Sequence, residues 1–314
     1  MKDALVYANL ILMLTIGFTL AYMTAKIPNF AHGTLAGIGV YSTFTVSVLW
    51  GLSPYTAVLV AFMLGAGTAV FVYKVVIGSL RKYGATPISL SISTLAVEII
   101  VIAILNMYAD FIQTSLGKYA RFFLLRYKDF EFAGLPGVLL VSTILVVVIV
   151  AGLHLMLTRT KFGISMRATV EDPDLASVLG TNVELVSTVS WFLTGGLAGV
   201  SGSLLPLWFQ GDPTVGSVMM TSVFAASALG GLSSIYGAML GGYLIGLSEI
   251  LGTVVLMDAI GSWVAAYRML IPLTVLSLVL LRCPRGLVGA IEGVRAKGLG
   301  IRGMVKLGRV RSRA

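Results

Sequence analysis

The chain has 314 residues, of which 57% are hydrophobic and 11% are charged, with a mean hydropathy of +0.97 and a net charge of +9. A soluble domain carries about a quarter charged residues, so this composition excludes a soluble protein and predicts an all-α integral membrane protein. Because a spanning helix needs about 20 apolar residues, the length allows about eight to ten transmembrane helices, some broken or short, and no sizeable soluble domain.

The first apolar run, Leu5 to Thr24, contains no charged residue and is not followed by a small-residue cleavage site. It therefore predicts a retained first helix and not a cleaved signal peptide. The stretch 217–256 is compatible with two short helices or with one long broken helix. The predicted spans are 4–25, 34–51, 54–77, 87–107, 136–157, 185–208, 217–231, 236–256 and 263–281.

The segment NFAHG, residues 29–33, follows the first helix and contains one of the two histidines in the chain. Pro28 and Asn29 predict a break at the inner face, where the chain reverses and restarts as a helix. Glycines four apart let two membrane helices pack closely, or they indicate broken helices that line a path. Such pairs are Gly33 and Gly37, Gly195 and Gly199, and Gly237 and Gly241.

The basic residues predict the orientation, because cytoplasmic loops of membrane proteins are enriched in Lys and Arg. With the C-terminus inside, sixteen basic residues lie inside and six outside. Nine of the sixteen belong to the segment 282–314, and without it the counts are seven and six. The sequence thus predicts an outer N-terminus, a transmembrane domain over 1–281 and a basic cytoplasmic tail over 282–314 that faces lipid.

The longest predicted external segment, 109–135, mixes charged residues with phenylalanines and leucines. This composition suits an amphipathic element at the membrane interface and equally a packed surface loop. A docking surface for an external partner is a third interpretation. The single cysteine, Cys283, excludes an internal disulfide, and no metal-ligand pattern accompanies it.

The inner segment 158–184 carries an acidic cluster around Pro173. Asp172 is suited to cap the helix that Pro173 opens, and Asp174 places a negative charge in its first turn. Gly180 suits the C-terminal stop. The segment therefore predicts a short capped helix with a small-residue face, which either links two spans or docks into a groove of another protein.

Residues 167–187, RATVEDPDLASVLGTNVELVS, resemble the cytoplasmic coupling loop of permease subunits from ATP-binding cassette (ABC) importers. They are most similar to the Liv-type, high-affinity branched-chain amino-acid permeases, although Ser177 stands where that family has a second alanine. The resemblance covers about residues 5–290. Four further segments agree with it: NFAHG, STLAVEII at 93–100, SALGGLSSIYGAMLGGYLIGLSE at 227–249 and PRGLVG at 284–289.

The resemblance implies a transport subunit of the cell (inner or plasma) membrane that is not an enzyme. Its implied partners are a second permease, the same or homologous, two cytoplasmic ABC ATPases and an external substrate-binding protein. The sequence has no phosphate-binding glycine–lysine–serine/threonine loop, so ATP is expected to be used by the partner subunits and no cofactor or metal by this chain. No nucleic-acid partner is expected.

One cytoplasmic coupling helix is expected to make the ATPase contact, within residues 165–182. Reversing the charge of Asp174 is expected to release the ATPases. The residues expected at this contact are Arg167, Glu171, Asp172, Pro173, Asp174, Ala176, Ser177 and Gly180.

Ionisable groups inside spans are costly in lipid and by default indicate function. Three roles are compatible with Glu98 and Glu249: an interhelical hydrogen bond, a place in the lining of the pathway, or proton transfer. Three roles are also compatible with His32: a hydrogen bond to backbone groups where a helix restarts, a contact with the substrate, or proton transfer. Asp212 and Asp258 lie near span ends and are interpreted as solvated loop positions. The residues expected along the pathway are Asn29, Phe30, His32, Gly33, Glu98 and Glu249.

A helix that restarts inside the membrane offers free N–H groups to an anion. The helix starts after Pro28 and after 84–87 are therefore candidates to receive a substrate carboxylate. Alternatively, the pathway is smooth and weakly binding, and the external protein alone selects the cargo.

Two other functions are compatible with these sequence features, and a third is disfavoured. The cargo of an ABC permease of this architecture could be an amide, urea or a nucleoside. An ion-coupled secondary transporter would use Glu98, Glu249 and His32 as an ion path, and its inner segment would have no partner. A membrane enzyme is disfavoured, since no nucleophile–base pair is visible in the sequence.

Overall fold

The computed structural model describes residues 1–282, and the predicted tail, Cys283 and PRGLVG lie outside this range. The helices are α1 (Lys2–Ala25), α2 (His32–Phe44), α3 (Ala57–Phe71), α4 (Gly78–Lys82), α5 (Pro87–Leu116), α6 (Gly137–Arg159), α7 (Lys161–Glu171), α8 (Pro173–Val178), α9 (Val183–Leu204), α10 (Val215–Gly230), α11 (Ile235–Ile260) and α12 (Leu270–Arg282). Strands β1 (Glu131–Phe132) and β2 (Leu135–Pro136) form an antiparallel pair.

Irregular helical turns extend several of these elements. A π-helical stretch, Thr45–Leu49, continues α2, and another, Val72–Ile77, joins α3 to α4. Short 3₁₀ turns are Pro54–Thr56, Arg126–Lys128, Leu205–Leu207 and Ser262–Tyr267.

Six helical segments of residues 1–282 are long and apolar enough to cross a membrane. They are α1, the continuous segment Pro54–Lys82, α5, α6, Val183–Leu207 and α11. Helices α10 and α12 are apolar but shorter, and α2 is a further short helix that the π-helical stretch Thr45–Leu49 continues. The ambiguous stretch 217–256 forms two helices, the short α10 and the long α11.

Helix α1 lies at the centre of the bundle, and every residue from Val6 to Ala21 is buried. A helix that is apolar on all sides is buried when other elements surround it. Helices α6, α9, α10 and α11 surround α1. The first helix to be read from the sequence is therefore also the core of the fold.

Two three-helix units, α1–α2–α3 and α9–α10–α11, pack around this core in a reciprocal manner. Helix α3 lies against α9, and α11 lies against α1. Helices α1 and α9 are antiparallel, because Ser201 bonds to Leu10 and Thr194 bonds to Gly17. Helix α11 is also antiparallel to α1, since Gly242 packs on Leu12 and Gly246 on Ala8. The second unit is therefore inverted relative to the first. Inverted repeats of this kind are common in membrane transporters.

Hydrogen bonds group the loops at two opposite ends of the bundle. At one end, which we call the N-terminal face, Asp3 accepts a 2.7 Å hydrogen bond from the indole of Trp208, and the Lys2 ammonium donates to Gly134 at 2.7 Å. At the other end, the coupling face, Arg81 donates to the carbonyl of Ala25 at 2.8 Å. The coupling face also carries α7 and α8.

The segment between α1 and α2 returns into the protein before the helix restarts. Helix α1 ends at Ala25, yet the first residue of α2, His32, contacts Leu14 near the middle of α1. The expectation that the helix restarts at the inner face is therefore wrong. Helix α10 also begins inside the bundle, because Gly216 contacts Gly33 at the start of α2.

Glycines make this interior meeting of helices possible. A β-carbon at Gly33 would overlap the carbonyl oxygen of Gly216, and one at Gly216 would overlap the carbonyl of Gly33. The predicted close packing of Gly195 and Gly199 is confirmed, since β-carbons there would overlap backbone oxygens of α3. Close approach of membrane helices depends on such small residues.

Substituting Gly202→Ala is expected to destabilise the protein by about 1–3 kcal/mol, the usual cost of overpacking. A β-carbon there would overlap the carbonyl oxygen of Ala36. The matched control is Gly152→Ala in α6, where a β-carbon meets nothing within 4 Å. Alanine favours a helix over glycine, so the control should hold or raise the melting temperature of the detergent-purified protein. Equal melting temperatures for the two variants would contradict this packing.

Candidate functional site

Helix α8 begins and ends as the sequence predicts. The Asp172 carboxylate accepts hydrogen bonds from the backbone N–H groups of Asp174 and Leu175, both at 3.0 Å, and Pro173 is the first helical residue. Gly180 adopts a left-handed φ of 86° after the last turn. The predicted capped helix is therefore confirmed.

Helix α7, which precedes α8, was not predicted. The Thr160 hydroxyl caps it by accepting from the N–H of Gly163 at 3.2 Å. Its buried side is formed by Gly163, Met166 and Thr169. These three residues recur every third position, which is typical of one face of a helix. The basic residues around them made this pattern hard to recognise in the sequence. The coupling face thus carries two consecutive helices in place of the expected single one.

The exposed face of α8 differs in character from the expected small-residue face. Ala176 is buried, whereas Asp174 and Ser177 are exposed. The large apolar side chains Val178 and Leu179 are 82% and 76% exposed. Contiguous exposed apolar groups at a polar surface are typical of protein contact sites.

Arg167 and Glu171 belong to α7 and border a groove. The Arg167 guanidinium donates to the carbonyl of Leu157 at 2.6 Å and so ties α7 to the end of α6. The groove has a volume of about 410 Å³ and runs from α7 to the loop before α11, where Ser234 and Tyr236 line it. Of the expected coupling residues, these two lie at the groove and the others lie on or beside α8.

The NFAHG segment lies inside the bundle at the start of α2. His32 is fully buried, and its Nε2 is 2.9 Å from the carbonyl oxygen of Leu14. Because a carbonyl only accepts, Nε2 carries the proton in this contact. The ring packs near Phe18 and against Gly17. His32 therefore satisfies a backbone group, as one of its three interpretations required.

Asn29 and Phe30 connect this segment to α5. The Phe30 N–H donates to the Thr94 hydroxyl at 3.1 Å, so the NFAHG and STLAVEII motifs are in direct contact. The Asn29 amide is buried, and neither of its polar atoms has a hydrogen-bond partner among residues 1–282. Buried polar groups are nearly always paired, so this amide is an exception among the described residues.

Glu98 lies on α5, partly buried, and accepts a hydrogen bond from the Ser217 hydroxyl. Ser217 belongs to the first turn of α10, next to the contact between Gly33 and Gly216. The structure therefore brings Glu98 to the place where α2 and α10 begin. Ser217 was not singled out in the sequence, since nothing there marks it among the many serines.

Glu249 is buried and lies in a different cluster. Its carboxylate accepts hydrogen bonds from the Tyr7 hydroxyl at 2.8 Å and from the Ser222 hydroxyl at 2.6 Å. The Arg268 guanidinium approaches it to 3.4 Å. Buried charges in proteins are paired and hydrogen-bonded in this way. Glu98 and Glu249 are thus not equivalent, although each accepts a hydrogen bond from a serine of α10.

Asp212 and Asp258 also differ from each other in their exposure and their surroundings. Asp258 is exposed but belongs to the last turn of α11, so the loop position expected for it is wrong. Asp212 is half-buried and accepts hydrogen bonds from the backbone N–H and the hydroxyl of Thr214, at 2.8 and 2.6 Å. Within the described part of the chain, no cluster of three potential metal-binding side chains occurs.

The fold and these buried sites define a multi-pass α-helical membrane protein. Residues 1–280 match the family model described as branched-chain amino acid transport system / permease component. The chain belongs to this family of ABC permeases, as the resemblance implied.

Curated relatives carry the same description. The chain is 39% identical over 92% of its length to a probable branched-chain amino acid transport permease protein LivH of Methanocaldococcus jannaschii, and the match covers 91% of that protein. It is 28% identical to BraD of Pseudomonas aeruginosa, a high-affinity branched-chain amino acid transport system permease protein, over 89% of this chain and 92% of that protein. The corresponding values for LivH of Escherichia coli K12 are 25%, 89% and 91%.

Among solved structures, the chain is similar to PsaBC from Streptococcus pneumoniae in complex with Fab, with a TM-score of 0.48 and 13% identity. The similarity covers 89% of this chain and 90% of that chain.

Substituting Tyr7→Phe is expected to lower the free energy of unfolding by about 1–3 kcal/mol, because the buried Glu249 carboxylate loses a hydrogen bond. The control is Tyr127→Phe, since that ring is 73% exposed and its hydroxyl makes no hydrogen bond among the described residues. Thermal unfolding of the detergent-purified variants measures the difference. A melting temperature for Tyr7→Phe equal to that of the control would refute the cluster.

Proposed function

We propose that this chain is the membrane subunit of an ATP-driven importer for branched-chain or related apolar amino acids. It would pair with a second permease, the same or homologous, and receive cargo from an external binding protein. Two cytoplasmic ABC ATPases would supply the energy. The observation that carries the proposal is the paired helices α7 and α8, which present exposed apolar side chains beside acidic ones on one face.

The role of this surface follows from its rigidity and chemistry. Helix α8 is capped at both ends, and Arg167 anchors α7 to α6. A force applied by a partner to α8 would therefore reach the long helices α6 and α9 without being absorbed by a loose loop. Burying Leu175, Val178 and Leu179 in a partner would contribute hydrophobic energy, at roughly 25 cal/mol per Å² of apolar area.

The proposal places the coupling face in the cytoplasm and the N-terminus outside, as the basic residues indicate. It assigns the passage to the interior meeting of α2 and α10. Asn29, Phe30, Gly33 and Glu98 surround this point, and two helix N-termini converge there, which favours an anionic group such as a carboxylate. His32 and Glu249 hold the neighbouring helices in place.

The energy source tests the proposal directly. The complete complex, with its two ATPases and the binding protein, is reconstituted in vesicles, and uptake of labelled leucine is measured. We expect uptake to be lost when the ATPases carry a substitution that blocks hydrolysis, and to persist when an uncoupler removes the proton gradient. Uptake that collapses with the uncoupler and ignores the ATPases would identify an ion-coupled secondary transporter.

The coupling surface is tested by Asp174→Arg and, separately, Val178→Asp. Each places a charge or bulk on the exposed face of α8, so the ATPases are expected to be lost on purification while the amount of permease in the membrane is unchanged. The control is Glu131→Arg on the N-terminal face, the same chemical change at an exposed acid. Recovery of an intact complex with both α8 variants would overturn the assignment of this surface.

A further inference from the structure

A cavity of about 260 Å³ opens beside α1 on the N-terminal face. Its lining comes from α1, from the segment between α9 and α10, from the start of α10 and from Arg268, which follows the 3₁₀ turn Ser262–Tyr267 and pairs with Glu249. Pockets for drug-sized ligands are about 300–1,000 Å³, so this cavity suits a smaller molecule. Its walls combine one cation, one anion and an apolar surface.

The cation is Arg268. Its nearest acidic partner is the Glu249 carboxylate at 3.4 Å, and its guanidinium makes no hydrogen bond to any residue of 1–282. The side chain is one-third exposed, so it is neither fully solvated nor fully paired. A guanidinium presents a planar fork of donors that matches a carboxylate. Arg268 can therefore receive an incoming carboxylate without breaking a hydrogen bond to the described protein.

The anion is Asp212, which lies just before α10. Both hydrogen bonds that it accepts, from the N–H and the hydroxyl of Thr214, are made to Oδ1. These bonds fix the carboxylate and leave Oδ2 without a hydrogen bond from the described residues. An oriented, half-buried carboxylate with an open oxygen suits a primary ammonium group.

The rest of the lining is mainly apolar and includes Leu205, Phe209, Val218 and Met219. Tyr7 and Gln210 add a hydroxyl and an amide to it. Methionine and aliphatic side chains adapt to branched apolar groups. A molecule with a carboxylate, an ammonium and a short branched hydrocarbon end would satisfy all three parts of the cavity at once.

We propose that this cavity binds the zwitterion of an apolar α-amino acid, with its carboxylate on Arg268 and its ammonium on Asp212. The inference rests on the proposed function and adds a recognition site within the permease itself, at the face where cargo enters. Since Arg268 also approaches Glu249, an occupied cavity draws the guanidinium between two carboxylates. Val215 and Val218 place the ligand directly on the first turn of α10, which begins the passage.

The test is equilibrium binding of labelled leucine to the complete complex in lipid nanodiscs without the external binding protein. Two competitors each lack one charge: 4-methylpentanoate has no ammonium, and 3-methylbutylamine has no carboxylate. For the natural sequence we expect saturable binding of leucine, with each competitor at least tenfold weaker than unlabelled leucine. No substitution is needed for this first comparison, so misfolding cannot affect it.

Two variants then assign the charges. In Asp212→Asn, the affinity for leucine should exceed that for 4-methylpentanoate by less than twofold. The affinity advantage of leucine over 3-methylbutylamine should be kept. In Arg268→Lys, which keeps a positive charge beside Glu249, the advantage over 3-methylbutylamine should fall several-fold. Asp110→Asn and Arg121→Gln are matched controls, because these residues pair at 2.8 Å on the same face and do not line the cavity. Both controls should keep both advantages.

ATP-driven uptake by the same complex separates this inference from the proposed function. Uptake without saturable leucine binding, or an Asp212→Asn variant that retains both advantages, would overturn the cavity assignment and leave the importer intact. Absence of ATP-driven uptake would overturn the importer, while the binding measurement would still decide what the cavity recognises.

Discussion

Backbone N–H and C=O groups cannot remain unpaired in lipid, so a helix can stop inside a membrane only where protein surrounds its end. Helices α2 and α10 both begin inside this bundle. Their meeting is enclosed because Gly33 and Gly216 bring the two backbones into contact and because α5 offers the Thr94 hydroxyl to the N–H of Phe30. The same enclosure depends on the central position of α1, on the inverted second unit and on the buried His32.

Helix α10 connects the polar sites of the interior. Ser217 bonds to Glu98 near the start of α2, and Ser222 bonds to Glu249 beside α1. The first turn of α10 also borders the cavity on the N-terminal face. A movement of this short helix would therefore alter both carboxylate sites together. Glycines near its two ends, Gly216 and Gly230, hold it in close contact with α2 and α11, so such a movement would reach those helices too.

Much of the fold was accessible from the sequence, because lipid imposes a strong rule on composition. The apolar runs predicted the spans, and Asp172, Pro173 and Gly180 predicted the boundaries of α8 through local cap chemistry. The depth at which α2 restarts could not be predicted from the sequence. Pro28 and Asn29 predict a break in the helix but contain no information on the path of the chain after it. Asp212 was interpreted as a solvated loop position, and Arg268 fell inside the predicted span 263–281. That both line one cavity depends on contacts between segments that are far apart in sequence.

The burial of α1 has a consequence for biosynthesis. Its main neighbours, α9, α10 and α11, are encoded in the last part of the chain. During synthesis α1 enters the bilayer before these three helices and is surrounded by lipid until they follow, the last of them ending at Ile260. Most of its surface is apolar and is as well accommodated by lipid as by protein. Asn9 is an exception, because the partners of its amide, Ser142, Thr143 and Tyr243, belong to helices that are inserted later.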